Sequence, residues 1–327
     1  MNFFKNHWWS VLYGAALTAF TVYIALDTFV IERVMVDMPQ DVSFRPNSSV
    51  QSEANSAENS EQQSDTESSE ESLPELPPEP MEPILTENSY KDDNVSIEIT
   101  QRRIYETECY IADVKLSSAE YLKTAFAKGK FGKNIAQTTS KIAESVDAIF
   151  AINGDYYGIR ERGYVIRNGV LYQSKGYTNN QEDLVIYPDG SFRIIKEKEV
   201  TAQQLYDEGA WQVLTFGPAL VEGGEAAVKE GEDVAAHMAS NPRTAIGIID
   251  ELHYVFIVSD GRTKASAGLS LLELAQVMID LGVTTGYNLD GGGSATMVFN
   301  GKVVNKPTSS GSSIKERGVS DIVYIDR

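Results

Sequence analysis

Four short polar stretches of this 327-residue chain carry side chains that can do chemistry: Asn153-Gly154-Asp155, Asn241-Pro242-Arg243-Thr244, Asp260-Gly261-Arg262 and Asp290-Gly291-Gly292-Gly293-Ser294. Each adjoins an apolar run, and three of them set an Asp beside a Gly. A carboxylate can serve as nucleophile, general base or hard-cation ligand. An Arg nearby can grip an oxyanion with two parallel hydrogen bonds. In the last stretch the three glycines let the backbone bend sharply or admit a close neighbour. Their successive N–H groups can form an anion cradle with Asp290 at its lip. Taken singly, each stretch reads as a strand-end turn. The repeated form points to one convergent site holding Asp155, Asp260, Asp290 and at least one Arg.

Those stretches need elements to deliver them. Residues 148–152 are continuously apolar, the pattern of a strand buried on both faces, and they lead into Asn153 and Asp155. Residues 245–250 and 252–259 pair as a hairpin, with Arg243 and Thr244 before the first strand and Asp260 after the second. A helix over 270–281 leads into the sheet-like run 286–298 that the glycine turn interrupts. Strands are expected over 95–99 and 104–116, helices over 118–127 and 133–145, and a short Thr-capped helix over 201–208. Asx-Gly turns mark hairpins at Asn168-Gly169, Asp189-Gly190 and Asn300-Gly301, and 319–325 is a last strand. The fold class is α/β in the mixed α+β sense, a mixed β-sheet core with flanking helices.

The first third of the chain is different. Residues 11–31 are apolar except for Thr18, Thr21, Asp27 and Thr28, long enough for one transmembrane helix. Trp8, Trp9 and Tyr13 sit where an interfacial belt would, and Lys5 favours a cytoplasmic residue 1–10 segment. The run exceeds a signal-peptide core and no small-x-small site follows, so it reads as an uncleaved anchor. Residues 32–93 are rich in Ser, Glu, Gln and Asn, with Pro74, Pro77, Pro78, Pro80 and Pro83. Such a segment cannot bury enough apolar surface to fold and is expected as a disordered stalk holding residues 94–327 off the membrane. The net charge of −19 argues against nucleic acid as a partner. Cys109 is the one cysteine and there are three histidines, which disfavours disulfides, a zinc site and a Ser-His-Asp hydrolase.

Residues 151–157, 241–247, 260–262 and 288–294, in that order, resemble the phosphodiester glycosidase family, over roughly residues 95–327. Where that family often has Asn-Gly-Gly-Tyr-Phe, this chain has Asn153-Gly154-Asp155-Tyr156-Tyr157. The resemblance implies hydrolysis of a sugar-1-phosphodiester, with a cell-surface or exopolysaccharide glycan as partner; the orientation of the anchor puts the catalytic domain outside the cell. Cleavage at the anomeric carbon needs a carboxylate there and donors around the phosphate. Asp290 is the first candidate, with Asp155 and Asp260 as the others. Arg243 and Arg317, the Gly291, Gly292 and Gly293 amides and Ser294 would hold the phosphate, with Asn153 and Thr244 in the same binding set, and Tyr156 and Tyr157 could stack on the sugar. No cofactor is required, although Asp155, Asp260 and Asp290 together would suit Ca²⁺ or Mg²⁺. A surface glycan-binding module without catalysis would keep the Arg and Tyr residues but would not need three Asp.

Overall fold

The computed structural model of the chain describes residues 3–37, 44, 81–178, 180–229 and 240–326. Among them, three large sheets with antiparallel pairings throughout form the framework. The largest has nine strands, in the order Glu225–Ala226, Ala219–Glu222, Thr285–Leu289, Thr244–Asp250, His253–Ser259, Thr107–Leu116, Val95–Ile104, Ser89–Lys91, Ile84–Leu85. One five-stranded sheet runs Lys302–Val303, Met297–Phe299, Phe150–Asn153, Asp321–Ile325, Leu122–Phe126. The other runs Val170–Gln173, Val165–Arg167, Gln212–Leu214, Glu182–Ile186, Phe192–Lys196.

Successive side chains on a strand face opposite ways, and here both directions are apolar. Ile246, Phe256 and Val258 of the large sheet meet Phe150, Ile152, Leu184 and Ile186 of the smaller sheets in the main core. Their neighbours Ala245, Val255 and Ile257 point the other way, under the helix Leu271–Asp280. Ala151 and Ile322 lie beneath the helix Thr139–Ser145, and Val185 and Val213 beneath Ala202–Asp207. The 148–152 run is thus buried on both sides, as its pattern predicts. Cys109 is a small core residue of the large sheet, its thiol pushed up to about 12 by burial.

Thr201 caps its helix as expected and Ser270 caps another: each accepts from the third helical N–H, and Gln204 and Glu273 return the bond. The 118–127 helix does not form. Ser118 caps only a single turn, Ala119–Tyr121, and the chain continues as the strand Leu122–Phe126. That strand gains five register pairs with Asp321–Ile325 and buries Leu122 and Phe126, which outweighs local helical spacing. The 133–145 helix shrinks to Thr139–Ser145, because Lys133 ends one strand and Gln137–Thr138 forms another, paired with Gly318–Val319.

At the N-terminus, the helix Phe3–Phe29 contains a stretch, Trp8–Phe29, long and apolar enough to cross a membrane. Its awkward acid, Asp27, pairs with Arg33. Both ends of the expected stalk differ from the expectation. Arg33–Asp37 is a strand paired with Lys130–Lys133, and Ile84–Leu85 and Ser89–Lys91 extend the large sheet, with Tyr90 buried in the core. Phe44 meets Trp211 edge-on at 5.0 Å. Residues 38–43 and 45–80 of the stalk lie outside the described ones.

Candidate active site

Asn153 joins the strand ends. Its Oδ1 accepts from Thr244 Oγ1 at 2.8 Å and from the Thr296 N–H at 3.1 Å. Its Nδ2 donates to the Asp290 carbonyl at 2.6 Å and the Gly154 carbonyl at 3.3 Å. Both donors and both lone pairs of this fully buried amide are engaged, so Asn153 and Thr244 hold the loops together from inside. The Asp290 N–H reaches the Gly154 carbonyl, and the Arg243 N–H reaches Ser259 Oγ at 2.9 Å. The four polar stretches therefore converge on one end of the sheets.

The glycine turn follows from that crowding. A Cβ on Gly291 would lie 2.7 Å from the Pro242 carbonyl oxygen, and Gly292 has φ +61°, left-handed backbone that other residues rarely adopt. The Gly292 N–H donates to the Pro242 carbonyl at 2.8 Å, and the Ser294 N–H to the Gly291 carbonyl at 3.2 Å. The expected anion cradle of Gly291, Gly292 and Gly293 is therefore incomplete, since the Gly292 amide is tied to the protein.

Asp290 sits at this convergence with its side chain 12% exposed. Burial holds its carboxyl above the usual carboxylate range, opposed by the nearby Ser294 hydroxyl, by Arg317 and by Arg160. Arg317 Nη2 donates to Asp290 Oδ2 at 3.1 Å and to Ser294 Oγ at 2.5 Å, and Arg317 Nε donates to Ser294 Oγ at 3.0 Å. The Arg317 side chain is 44% exposed, so its guanidinium spans buried carboxylate and solvent. Arg160 stacks over Tyr156 at 5.5 Å and Phe216 at 5.3 Å.

Asp155 and Asp260 have other surroundings. Asp155 Oδ2 accepts from Arg167 Nη2 at 2.6 Å and from the Thr215 N–H at 3.0 Å, and Oδ1 from the Tyr157 N–H at 3.1 Å. Arg167 also donates through Nε to Asp321 Oδ2 at 2.9 Å. All three side chains are fully buried. Burial would lower the Arg167 pKa, but Asp155 and Asp321 raise it further; burial and Asp155 push Asp321 up to about 8. One guanidinium faces two carboxyls, so one proton on the pair leaves the group neutral. Asp260 Oδ1 accepts from the Lys306 N–H at 2.8 Å and Asn305 Nδ2 at 3.3 Å, and burial raises its pKa. Arg243 is buried, with Nε donating to the Leu269 carbonyl at 2.8 Å, and burial, with help from Arg262, lowers its pKa to about 10. Tyr157 belongs to the core, stacked on Phe131 at 5.1 Å with its hydroxyl donating to the Ser320 carbonyl. The three aspartates do not gather: no group of three or more metal-ligating carboxylate, His or Cys side chains occurs among the described residues.

Arg160, Arg167, Phe216 and Asp321 are absent from the sequence-based set. A signal existed for two of them. Arg167 ends the apolar run 165–166 and Asp321 begins the apolar run 322–325, and lone opposite charges bordering two buried strands invite pairing. Nothing in local spacing points to Arg160.

Framework and site together define a sheet-built α+β protein with a carboxylate and guanidinium groups at converging strand ends. The phosphodiester glycosidase family model matches residues 147–326, more than half of the chain, and the chain belongs to that family of hydrolases. The SPbeta prophage-derived uncharacterized protein YomE of Bacillus subtilis (strain 168) is 31% identical over 202 residues, covering 60% of this chain and 30% of the relative. Human N-acetylglucosamine-1-phosphodiester alpha-N-acetylglucosaminidase is 41% identical over 66 residues, 20% of this chain and 13% of that protein. The chain thus spans less than a third of the length of either curated relative. Among solved structures, the zebrafish N-acetylglucosamine-1-phosphodiester alpha-N-acetylglucosaminidase catalytic domain, auto-inhibited by its pro-peptide, superposes with a TM-score of 0.58 at 19% identity. The match covers 71% of this chain and 83% of that one, a likeness of fold.

Proposed function

We propose that this chain is a membrane-anchored hydrolase that cleaves a sugar-1-phosphodiester of a cell-surface or exopolysaccharide glycan, with residues 1–10 in the cytoplasm and the catalytic domain outside the cell. The observation that carries this reading is Asp290, a buried carboxylate at a strand end with Arg317 bonded to it and the charge of Arg160 acting on it. Breaking the bond between the anomeric carbon and the phosphate oxygen builds positive charge on the ring and sends the electron pair to the phosphate. Asp290 acts on the anomeric carbon as nucleophile, or takes the proton of the water that attacks it. The departing phosphate needs no strong proton donor, and its charge is met by Arg317 and Arg160, with Ser294 fixing the Arg317 fork.

This route assigns the other carboxylates to positioning. Asp155, through Arg167, and Asp260, through Asn305 and Lys306, hold the loops that present Asp290. Arg243 performs the same service for the Leu269 segment. The similarity to the human N-acetylglucosamine-1-phosphodiester alpha-N-acetylglucosaminidase supports a sugar phosphodiester here. The full chain in detergent should release free sugar from a sugar-1-phosphodiester, with and without a chelator, and leave a phosphate-free aryl glycoside intact. Binding without turnover across a broad panel would instead favour a non-catalytic glycan-binding module, and activity that needs added Ca²⁺ or Mg²⁺ would favour a cation site.

A further inference from the structure

The end of the apolar helix is fastened to the catalytic domain. Asn134 Nδ2 donates to the Thr28 and Ile31 carbonyls, each at 3.1 Å, closing off backbone groups that a helix end leaves open. Two residues later the strand Arg33–Asp37 pairs with Lys130–Lys133 in the register Arg33↔Lys133, Val34↔Gly132, Val36↔Phe131, Asp37↔Lys130. Lys128 pairs with Glu32, and Lys130 Nζ lies 3.6 Å from Asp37. Gly132 is fitted to this strand, because a Cβ there would stand 2.1 Å from the Arg33 carbonyl oxygen. Arg33–Asp37 and Ile84–Leu85 both pair within the domain, so the helix end is held at the domain surface.

The fastened end lies beside the candidate site. The Asn134 N–H donates to the Gly158 carbonyl at 3.0 Å, and Lys133 Nζ bonds Glu161 at 2.5 Å. Between these anchors runs the loop that carries Ile159, 51% exposed, and Arg160, whose charge acts on Asp290. Val30, Ile31, Val34, Met35 and Val36 are also exposed to solvent, an apolar strip continuous with the helix. Isolated apolar side chains on a surface need no explanation, but a strip running on from a membrane-crossing helix does.

We propose that the strip and the 157–161 loop rest on the bilayer surface, and that the substrate is a sugar phosphodiester linked to a membrane lipid. This rests on the membrane-anchored hydrolase reading above. The chemistry is unchanged: the anomeric bond is hydrolysed, free sugar departs, and the phosphate stays on the lipid. Fixed orientation beside the bilayer turns encounter with such a substrate into a nearly intramolecular event.

The test uses the full chain in phospholipid vesicles. In an Ile159→Cys variant labelled with an environment-sensitive fluorophore, acyl-chain-brominated lipids should quench the label at least severalfold more than in detergent. The quenching should fall when Gly132→Ala displaces the strand, and equally when a 20-residue Gly/Ser segment is inserted between Ile31 and Glu32. The unlabelled chain should hydrolyse a lipid-linked sugar-1-phosphodiester about 10- to 100-fold faster than its water-soluble analogue, and the insertion should erase that preference. No quenching in the Ile159→Cys variant, or quenching that survives both perturbations, overturns the docking. Quenching with equal rates on the two substrates overturns the lipid-linked substrate. Quenching with turnover of neither substrate leaves the docking supported and overturns the hydrolase reading on which the substrate rests.

Discussion

Arg167 is a completely buried guanidinium facing two completely buried carboxyls, and Arg167→Leu removes the only positive charge of that group. Leu fills much of the volume, so the loss is chiefly electrostatic: Asp155 and Asp321 are left buried without their shared cation. Breaking a buried ion pair in this way costs about 3–5 kcal/mol. For a domain of this size about 2–4 °C of Tm follows each kcal/mol, which gives a fall of about 6–20 °C. Asp321→Asn should behave differently. Asp321 holds its proton up to about 8, so an uncharged amide resembles its native state near neutral pH, and the Tm should fall by less than about a third as much. The sign of the pH dependence follows. Between the ordinary carboxylate range and about 8 the folded chain keeps a proton that the unfolded chain releases, so this group's contribution to stability declines as pH rises through that window. Thermal and urea unfolding at pH 5 and pH 8 should show that decline in the wild type and a smaller one in Asp321→Asn. An unchanged Tm in Arg167→Leu, or a loss in Asp321→Asn as large as in Arg167→Leu, would refute the reasoning.

The rate should also depend on pH through Asp290. It works ionised, and burial raises its pKa, so the acid limb of kcat/KM should lie above the ordinary carboxylate range and activity should fall as pH drops through it. Arg317→Met should move that limb further up. Gly291→Ala sets a methyl 2.7 Å from a backbone oxygen that cannot swing aside; it should cost about 1–3 kcal/mol in unfolding experiments and lower turnover by displacing Asp290.

Much of the framework was legible because period-two alternation and Asx-Gly turns are local signals. The 148–152 run, the 244–259 hairpin and the helix Leu271–Asp280 are each legible from contiguous sequence. The convergence of the four polar stretches was legible too, since each follows or precedes an apolar strand. Roles inside the site were harder to read. Asp155 resembles Asp290 in sequence, each beside a Gly after an apolar run, yet a partner twelve residues on and a backbone N–H sixty residues on enclose it. Asn153 looks like a ligand-binding amide until its four hydrogen bonds are counted, three of them to residues at least 91 positions away. The strand Arg33–Asp37 was hidden for the same reason: its partner lies about 100 residues downstream, and its composition beside an acidic segment reads as linker.

Turnover depends on one carboxylate. Asp290→Asn keeps the shape and the amide's capacity to accept from Arg317 while removing the charge. In a chain shown by circular dichroism and Tm to be folded, release of free sugar from a sugar-1-phosphodiester should fall by about 10²- to 10⁴-fold or more, with substrate still bound. Near-wild-type turnover in folded Asp290→Asn, with turnover abolished in an Asp155→Asn variant that is equally well folded, would place the chemistry on the other loop and contradict the account.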